Sequence, residues 1–421
     1  MLPLRQADGP MKNRLRLLAL LAVLVWSAGQ PALAAKKASV AATAPQAPKA
    51  PEAGQAEARL IDIYRLLAAA QSRQALDKAE RLVQDYPNFH LAQLVYGDIL
   101  ASRKRPVRVL GDLPTPLAAD TLTGLEELRA ESKARLKALT ERPPASAVPA
   151  EFVNLSPRNR HAIAVDTSRS RLYLFENRPE GLQLLADYYI SVGRSGVEKT
   201  AEGDLRTPLG VYFITSNLDP KSLGDFYGAG ALPINYPNML DSKRGKTGKG
   251  IWLHGTPPGQ FSRPPLATDG CVVLTNPDLL RIIRTVEVGS TPVVISQSLR
   301  WVAPERVRAD AQPFQAALTA WKQAKASGDI NALLTHYSPD FSSYGKTLGD
   351  WTPVMRTEQG RVKGHTIELK DLSVLRWTDA ADTMVVTFGE VAGGQRTGPI
   401  KRQYWVRQGN LWKIFFESNI A

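Results

Sequence analysis

A histidine and a cysteine stand seventeen residues apart between Ile251 and Leu279, and both residue types serve the same chemistry. Cys271 is the only cysteine in 421 residues and lies between Gly270 and two valines. A free thiol near pKa ~8.5 is only a few per cent thiolate at neutral pH. An adjacent imidazole lowers that value and carries the proton. His254 ends the apolar run Ile251–His254 and is followed at once by Gly255, as where a chain leaves a sheet for a tight loop. Gly270 lets the backbone pass close to a substrate, and the amides of Gly270 and Cys271 are candidates for facing a developing oxyanion. Such a Cys–His pair is an acyl-transfer device. A lone thiol also serves as a buried apolar filler, and the pair alone leaves both roles open.

The compartment bears on that choice. Lys12, Arg14 and Arg16 lead into the apolar run Leu15–Trp26, followed by Ala32-Leu33-Ala34 as a small-residue cleavage site. That is the layout of a secretory leader, and the run is short of the ~20 residues of a spanning helix. The expectation is an exported, periplasmic protein, with residues 1–34 as signal peptide. Exported cysteines normally pair, and a single one cannot do so within its chain. Lys and Arg exceed Asp and Glu by 13. No basic run is interleaved with aromatics, so nucleic acid is not an expected partner, and the expected polyanions are envelope polymers and membrane surfaces. The five histidines are scattered and form no His-Glu-x-x-His, so neither a metal nor a cofactor is expected. Lys243, Arg244, Lys246 and Lys249 lie in the Gly-rich stretch DSKRGKTGKG, which lacks phosphate-loop spacing and reads as a mobile basic lid near the site.

Four patterns follow one another along the chain around these residues. Residues 35–58 are rich in Ala, Pro and Lys without apolar period and read as a disordered tether. Residues 59–142 show helical spacing, and the segment from Ala75 to Leu100 is similar to one tetratricopeptide-type hairpin. The middle is mostly β. Ala162–Val165 and Arg171–Phe175 form a hairpin, with further strands at 182–192, 209–215, 251–254 and 290–297. One helix, Asp278–Arg284, rides on them, with Asn276 as cap and Pro277 in the first turn. Residues 310–421 begin with helices at 314–326 and 330–337, and continue with strands at 366–377, 383–390, 401–407 and 411–417.

RTPLGVYFI (206–214), IWLHGTP (251–257) and TDGCVVLTNPDL (268–279), in that order, resemble the L,D-transpeptidase or YkuD family across 159–298. The resemblance implies a mostly β catalytic domain acting on peptidoglycan stem peptides. Its cysteine attacks the carbonyl between the third residue, diaminopimelate, and D-Ala. By the same resemblance Cys271 is the nucleophile, His254 the base, Gly255 the carbonyl that orients it, and Thr268 the family's Ser/Thr before the cysteine. Two positions depart from the pattern. Asp269 replaces a histidine, and Val273 replaces an arginine expected near a substrate carboxylate. Asp269 beside a thiolate raises the thiol pKa, or else points away or accepts the diaminopimelate amine. The last region looks like an NTF2-like α+β cone. The order of helical, YkuD and NTF2-like domains is similar to that of the L,D-carboxypeptidases of helical bacteria. The implied reaction passes through a thioester to an amine, giving 3→3 cross-links, or to water, giving tripeptide. A wall-binding scaffold without catalysis is the rival from another class. The helical and NTF2-like domains are candidate surfaces for a homodimer or an envelope partner.

Overall fold

His161–Asp166 (HAIAVD) and Pro292–Ser296 (PVVIS) are apolar almost throughout instead of alternating, the pattern of strands covered on both faces. The computed structural model describes residues 54–112, 118–378 and 381–420. In it these strands run side by side and parallel, Ile163 beside Val293 and Val165 beside Ile295. They centre a five-stranded sheet ordered Gly181–Tyr189, Arg171–Arg178, His161–Asp166, Pro292–Ser296, Gly210–Phe213. Its front, through Ile163, Val165 and Leu174, shares a core with Leu232, Leu253, Val272 and Ile282. Three of these come from a second sheet of short strands, Val272–Val273, Trp252–His254 and Ala231–Pro233. Its back, through Ala162, Ala164 and Phe175, packs with Leu375, Tyr404 and Phe416 of the C-terminal sheet.

Four helices precede this domain: α1 (Gln55–Ala68), α2 (Ser72–Asp85), α3 (His90–Ser102) and α4 (Ala119–Thr140). The leader and the tether as far as residue 53 lie outside the described residues. The last part of the expected tether is helical instead. Ala56 is buried, and Glu57 accepts hydrogen bonds from Arg135 of α4 and Arg171 of the central sheet, which fixes that turn. The module is helical as expected; its tetratricopeptide character stays an expectation. Its core takes in Phe261 from the central domain, whose ring lies 4.5 Å from Phe89 and 5.3 Å from Tyr86.

The central domain carries two α-helices rather than one. The first, α5 (Met239–Lys243), falls in a stretch that reads as loop and is closed by a capping box of Asn238 and Asp241. The second, α6 (Asn276–Thr285), is capped by Thr275, not by Asn276.

The C-terminal domain has α7 (Pro304–Ser327), α8 (Ile330–Leu334) and α9 (Leu348–Val362), then the meander Ile367–Thr378, Asp382–Ala392, Ile400–Gln408, Leu411–Ile420. It is the expected α+β arrangement, with three differences. The first helix starts ten residues earlier than the expected Phe314, at Pro304. The second stops at Leu334, because Tyr337 bridges to Ile414 and donates from its hydroxyl to Glu417. The third was not anticipated; a Thr347–Asp350 capping box starts it, and Pro353 lies inside it at the sixth position, where one i→i−4 bond is given up. The fifth strand of this sheet is Phe152–Asn154, from ahead of the catalytic domain, beside Val374 and Leu375.

Candidate active site

Val272–Val273 runs parallel to Trp252–His254, with Val272 beside Leu253 and Val273 beside His254. Side chains alternate along a strand, and residues in register share a face. Leu253 and Val272 enter the core. His254, Val273 and, by continued alternation, Cys271 two residues before Val273 therefore project from the opposite face, on neighbouring strands of the short sheet. The His254 ring is buried and packs edge-on against Tyr227 at 5.1 Å and beside Phe226 at 5.8 Å. Its Nδ1 is 2.8 Å from the Gly255 carbonyl oxygen. A carbonyl only accepts, so Nδ1 carries the hydrogen and Nε2 presents its lone pair.

That carbonyl is held by its surroundings. Gly255 N donates to Tyr227 O at 3.1 Å. The Asn276 carboxamide accepts from Ala229 N at 2.9 Å and Thr256 N at 3.2 Å, and donates to Thr256 O at 2.8 Å. A Cβ on Gly255 would stand 2.0 Å from Asn276 Oδ1, so only glycine fits. Asn276 is thus committed to the histidine loop, which is why capping of α6 falls to Thr275.

The cysteine turn is fixed by two threonines. Thr268 Oγ1 donates to Cys271 O at 2.7 Å and accepts from Gly270 N at 3.1 Å. Thr207, inside the RTPLG stretch, donates to Gly270 O and accepts from Gly193 N, both at 2.9 Å. Gly270 has φ +123°, and a Cβ there would meet Arg206 O at 2.6 Å. The expectation that the Gly270 amide faces an oxyanion is overturned, since Thr268 already holds that hydrogen. The Cys271 N–H has no acceptor among the described residues and is the amide left for this role. Asp269 is not a free anion beside the thiol; it is ion-paired with Arg194 at the surface, where its side chain stays exposed.

Burial dominates the electrostatics. It pushes the Cys271 thiol up to about 11, with Asp269 adding to the shift and the Trp252 amide, Arg263 and Lys199 opposing it. Burial also lowers His254 to about 4, aided by Arg263 and opposed by the bond to Gly255. The expectation that the imidazole lowers the thiol pKa therefore fails, because a neutral imidazole adds no positive charge. The resting pair is neutral thiol and neutral base. Cys271 is half-buried, and its Sγ lies 3.4 Å from Gly250 O.

Three of the four cations of the basic stretch do not cover this pair, although the stretch ends at Gly250, whose carbonyl meets the thiol. Lys243 Nζ donates to Asp340 O and Phe415 O, and Arg244 and Lys246 lie over the Trp377 ring, so these cations hold the C-terminal domain. Thr207, Asn276 and Arg263 are the site residues that sequence reasoning missed. Only Thr207 lay within a quoted family stretch without being singled out.

Residues 160–295 match the L,D-transpeptidase catalytic domain family. The central domain is a YkuD domain. Residues 313–418 match the Cds6 C-terminal NTF2-like domain. YkuD domains act on peptidoglycan stem peptides. Bd1075 of Bdellovibrio bacteriovorus is similar in structure at 25% identity and TM-score 0.57, over 65% of this chain and 98% of that one. The helical cell shape determining protein Pgp2 of Campylobacter jejuni is similar at 20% identity and TM-score 0.53, over 69% of this chain and 99% of that one. No curated protein matches the sequence.

Proposed function

We propose that this YkuD domain performs cysteine-dependent acyl transfer on peptidoglycan stems in the periplasm, exported by the leader at 1–34. The carrying observation is the Nδ1 bond of His254 to Gly255, which leaves Nε2 as acceptor on the face that bears Cys271. The Cys271 S–H proton passes to Nε2 as sulfur attacks the diaminopimelate carbonyl carbon. The oxyanion faces the Cys271 N–H. Collapse breaks the C–N bond, His254 returns its proton to the departing D-Ala amine, and a thioester remains. An amine of a second stem, deprotonated by His254, then attacks and forms a 3→3 cross-link, restoring the thiol.

A second reading, hydrolysis to tripeptide, gains from the docking of Lys243, Arg244 and Lys246 on the C-terminal domain, because those side chains do not shield a thioester from water. Incubation with disaccharide tetrapeptide and mass analysis decides: dimers support transfer to an amine, and tripeptide with free D-Ala but no dimer supports water. Turnover by Cys271→Ala equal to the parent's defeats the cysteine assignment, and an intact protein that gives no mass adduct with a carbapenem is a scaffold instead.

A further inference from the structure

Arg263 sits on the loop between His254 and Cys271, and its surroundings are unusual for a cation. The residue is 8% exposed. Its guanidinium lies 4.6 Å over the Phe226 ring, and that ring lies 5.8 Å from His254. Of its five donors only Nε has a side-chain acceptor, Gln260 Oε1 at 3.3 Å, so both terminal NH2 groups lack one among the described residues. No carboxylate among the described residues forms an ion pair with it; the nearby Asp269 is taken by Arg194. A buried charge without a counter-ion is costly, and stacking on an aromatic ring offsets only part of that. The loop is held from outside. Phe261 is seated among α2 and α3, Ser262 Oγ donates to Glu131 at 2.7 Å, and Tyr189 donates to Arg263 O at 2.9 Å. Its charge reaches both members of the pair, lowering the proton affinity of each. Val273, where the family arginine stands, is buried and carries no charge.

We infer that Arg263 is the carboxylate-binding residue of the donor site, its free guanidinium fork receiving a carboxylate of the stem peptide beside the scissile bond. It fills from the loop the place left at Val273, and it confers a requirement for a free carboxylate. Two carboxylates flank that bond, the D-Ala terminus and the diaminopimelate side chain, and they share one chemistry. The inference rests on the stem-peptide reading but is tested by binding, apart from turnover.

The test measures affinity of the Cys271→Ala protein for disaccharide tetrapeptide, its C-terminal carboxamide and its diaminopimelate carboxamide. One carboxamide is expected to bind about tenfold or more weakly than the free acid, as loss of a charge-assisted pair requires, and its identity tells which carboxylate is read. Adding Arg263→Met, which keeps the stem over Phe226 and drops the charge, is expected to abolish the difference; Arg263→Lys is expected to keep part of it. Equal affinity for all three peptides, or a preference that survives Arg263→Met, overturns the assignment. Turnover without this discrimination sinks only the role of Arg263, and discrimination without Cys271-dependent turnover sinks only the acyl-transfer reading.

Discussion

His254 and Gly255 are adjacent in sequence, and the side chain of the first bonds the carbonyl of the second at 2.8 Å, so the imidazole is oriented by its own backbone rather than by a carboxylate. Among the described residues no carboxylate bonds the ring, and burial lowers its affinity for a proton.

The pH profile follows from that. Burial holds His254 at about 4, so the neutral base persists as pH falls and is lost only through about 4. The acid limb of kcat/KM is therefore expected well below the ~6.5 of an ordinary histidine. Alkylation of Cys271 by iodoacetamide is expected to keep rising above the ~8.5 of a free thiol, because burial raises its pKa to about 11. An acid limb between about 6 and 7, or alkylation saturating near pH ~8.5, contradicts a neutral resting pair.

Asn276→Ala removes three bonds that tie the histidine loop to the start of α6. Each buried group left unsatisfied costs about 1–3 kcal/mol. Lower melting temperature and a fall in kcat of about tenfold or more are expected, from loss of positioning. A variant with unchanged kcat shows that Gly255 keeps its place without this latch.

Phe261→Ala tests whether the helical module supports the site. The ring is buried between Tyr86 and Phe89, and truncation costs about 3–5 kcal/mol of local packing. Peptide turnover is expected to drop, and a fragment of residues 159–298 is expected to fall below the chain from residue 54 onward. A fragment as active and as stable as the longer chain shows that the module serves other ends.

In the C-terminal domain Lys401 is buried within reach of Glu358, Glu390 and Glu417, while Lys325 pairs with the first two. Lys401→Met leaves Glu358 and Glu390 to Lys325 and Glu417 without a lysine, and is expected to destabilise the protein by about 3–5 kcal/mol. Despite burial, which raises it, the two lysines hold Glu358 down to about 2. Its contribution is complete above the ~4.3 of a free glutamate and is lost as pH falls through about 2. Thermal denaturation of both proteins at neutral and acid pH reads both effects; equal melting temperatures at neutral pH refute the first.

The catalytic pair was legible because its residue types are rare here and its neighbours form ordered motifs. The C-terminal meander was legible from strand runs and turns. Other features were less so, for identifiable reasons. Thr275 stands three residues before Asp278, the spacing of a capping box, but the Asn-Pro pair drew attention to the wrong cap. The Gly270 amide looked free because a threonine two residues earlier is not visibly its partner until the turn closes. Arg263 carries no local pattern at all; only the fold lays it over Phe226. The basic stretch has the composition of a mobile loop, and its docking on Trp377 joins residues more than a hundred positions apart.

Phe152–Asn154 pairs with Ile367–Thr378. In topological terms the catalytic domain is therefore an insert. The chain starts the C-terminal sheet at Phe152, leaves to build the YkuD domain, and returns at Pro304. A protein cut at residue 310 to isolate the last domain would carry an unprotected edge at Val374 and Leu375, an invitation to pair with another copy. The two domains behave as one nested unit in the covalent order of the chain, and a transplant of either must take residues 152–154 into account.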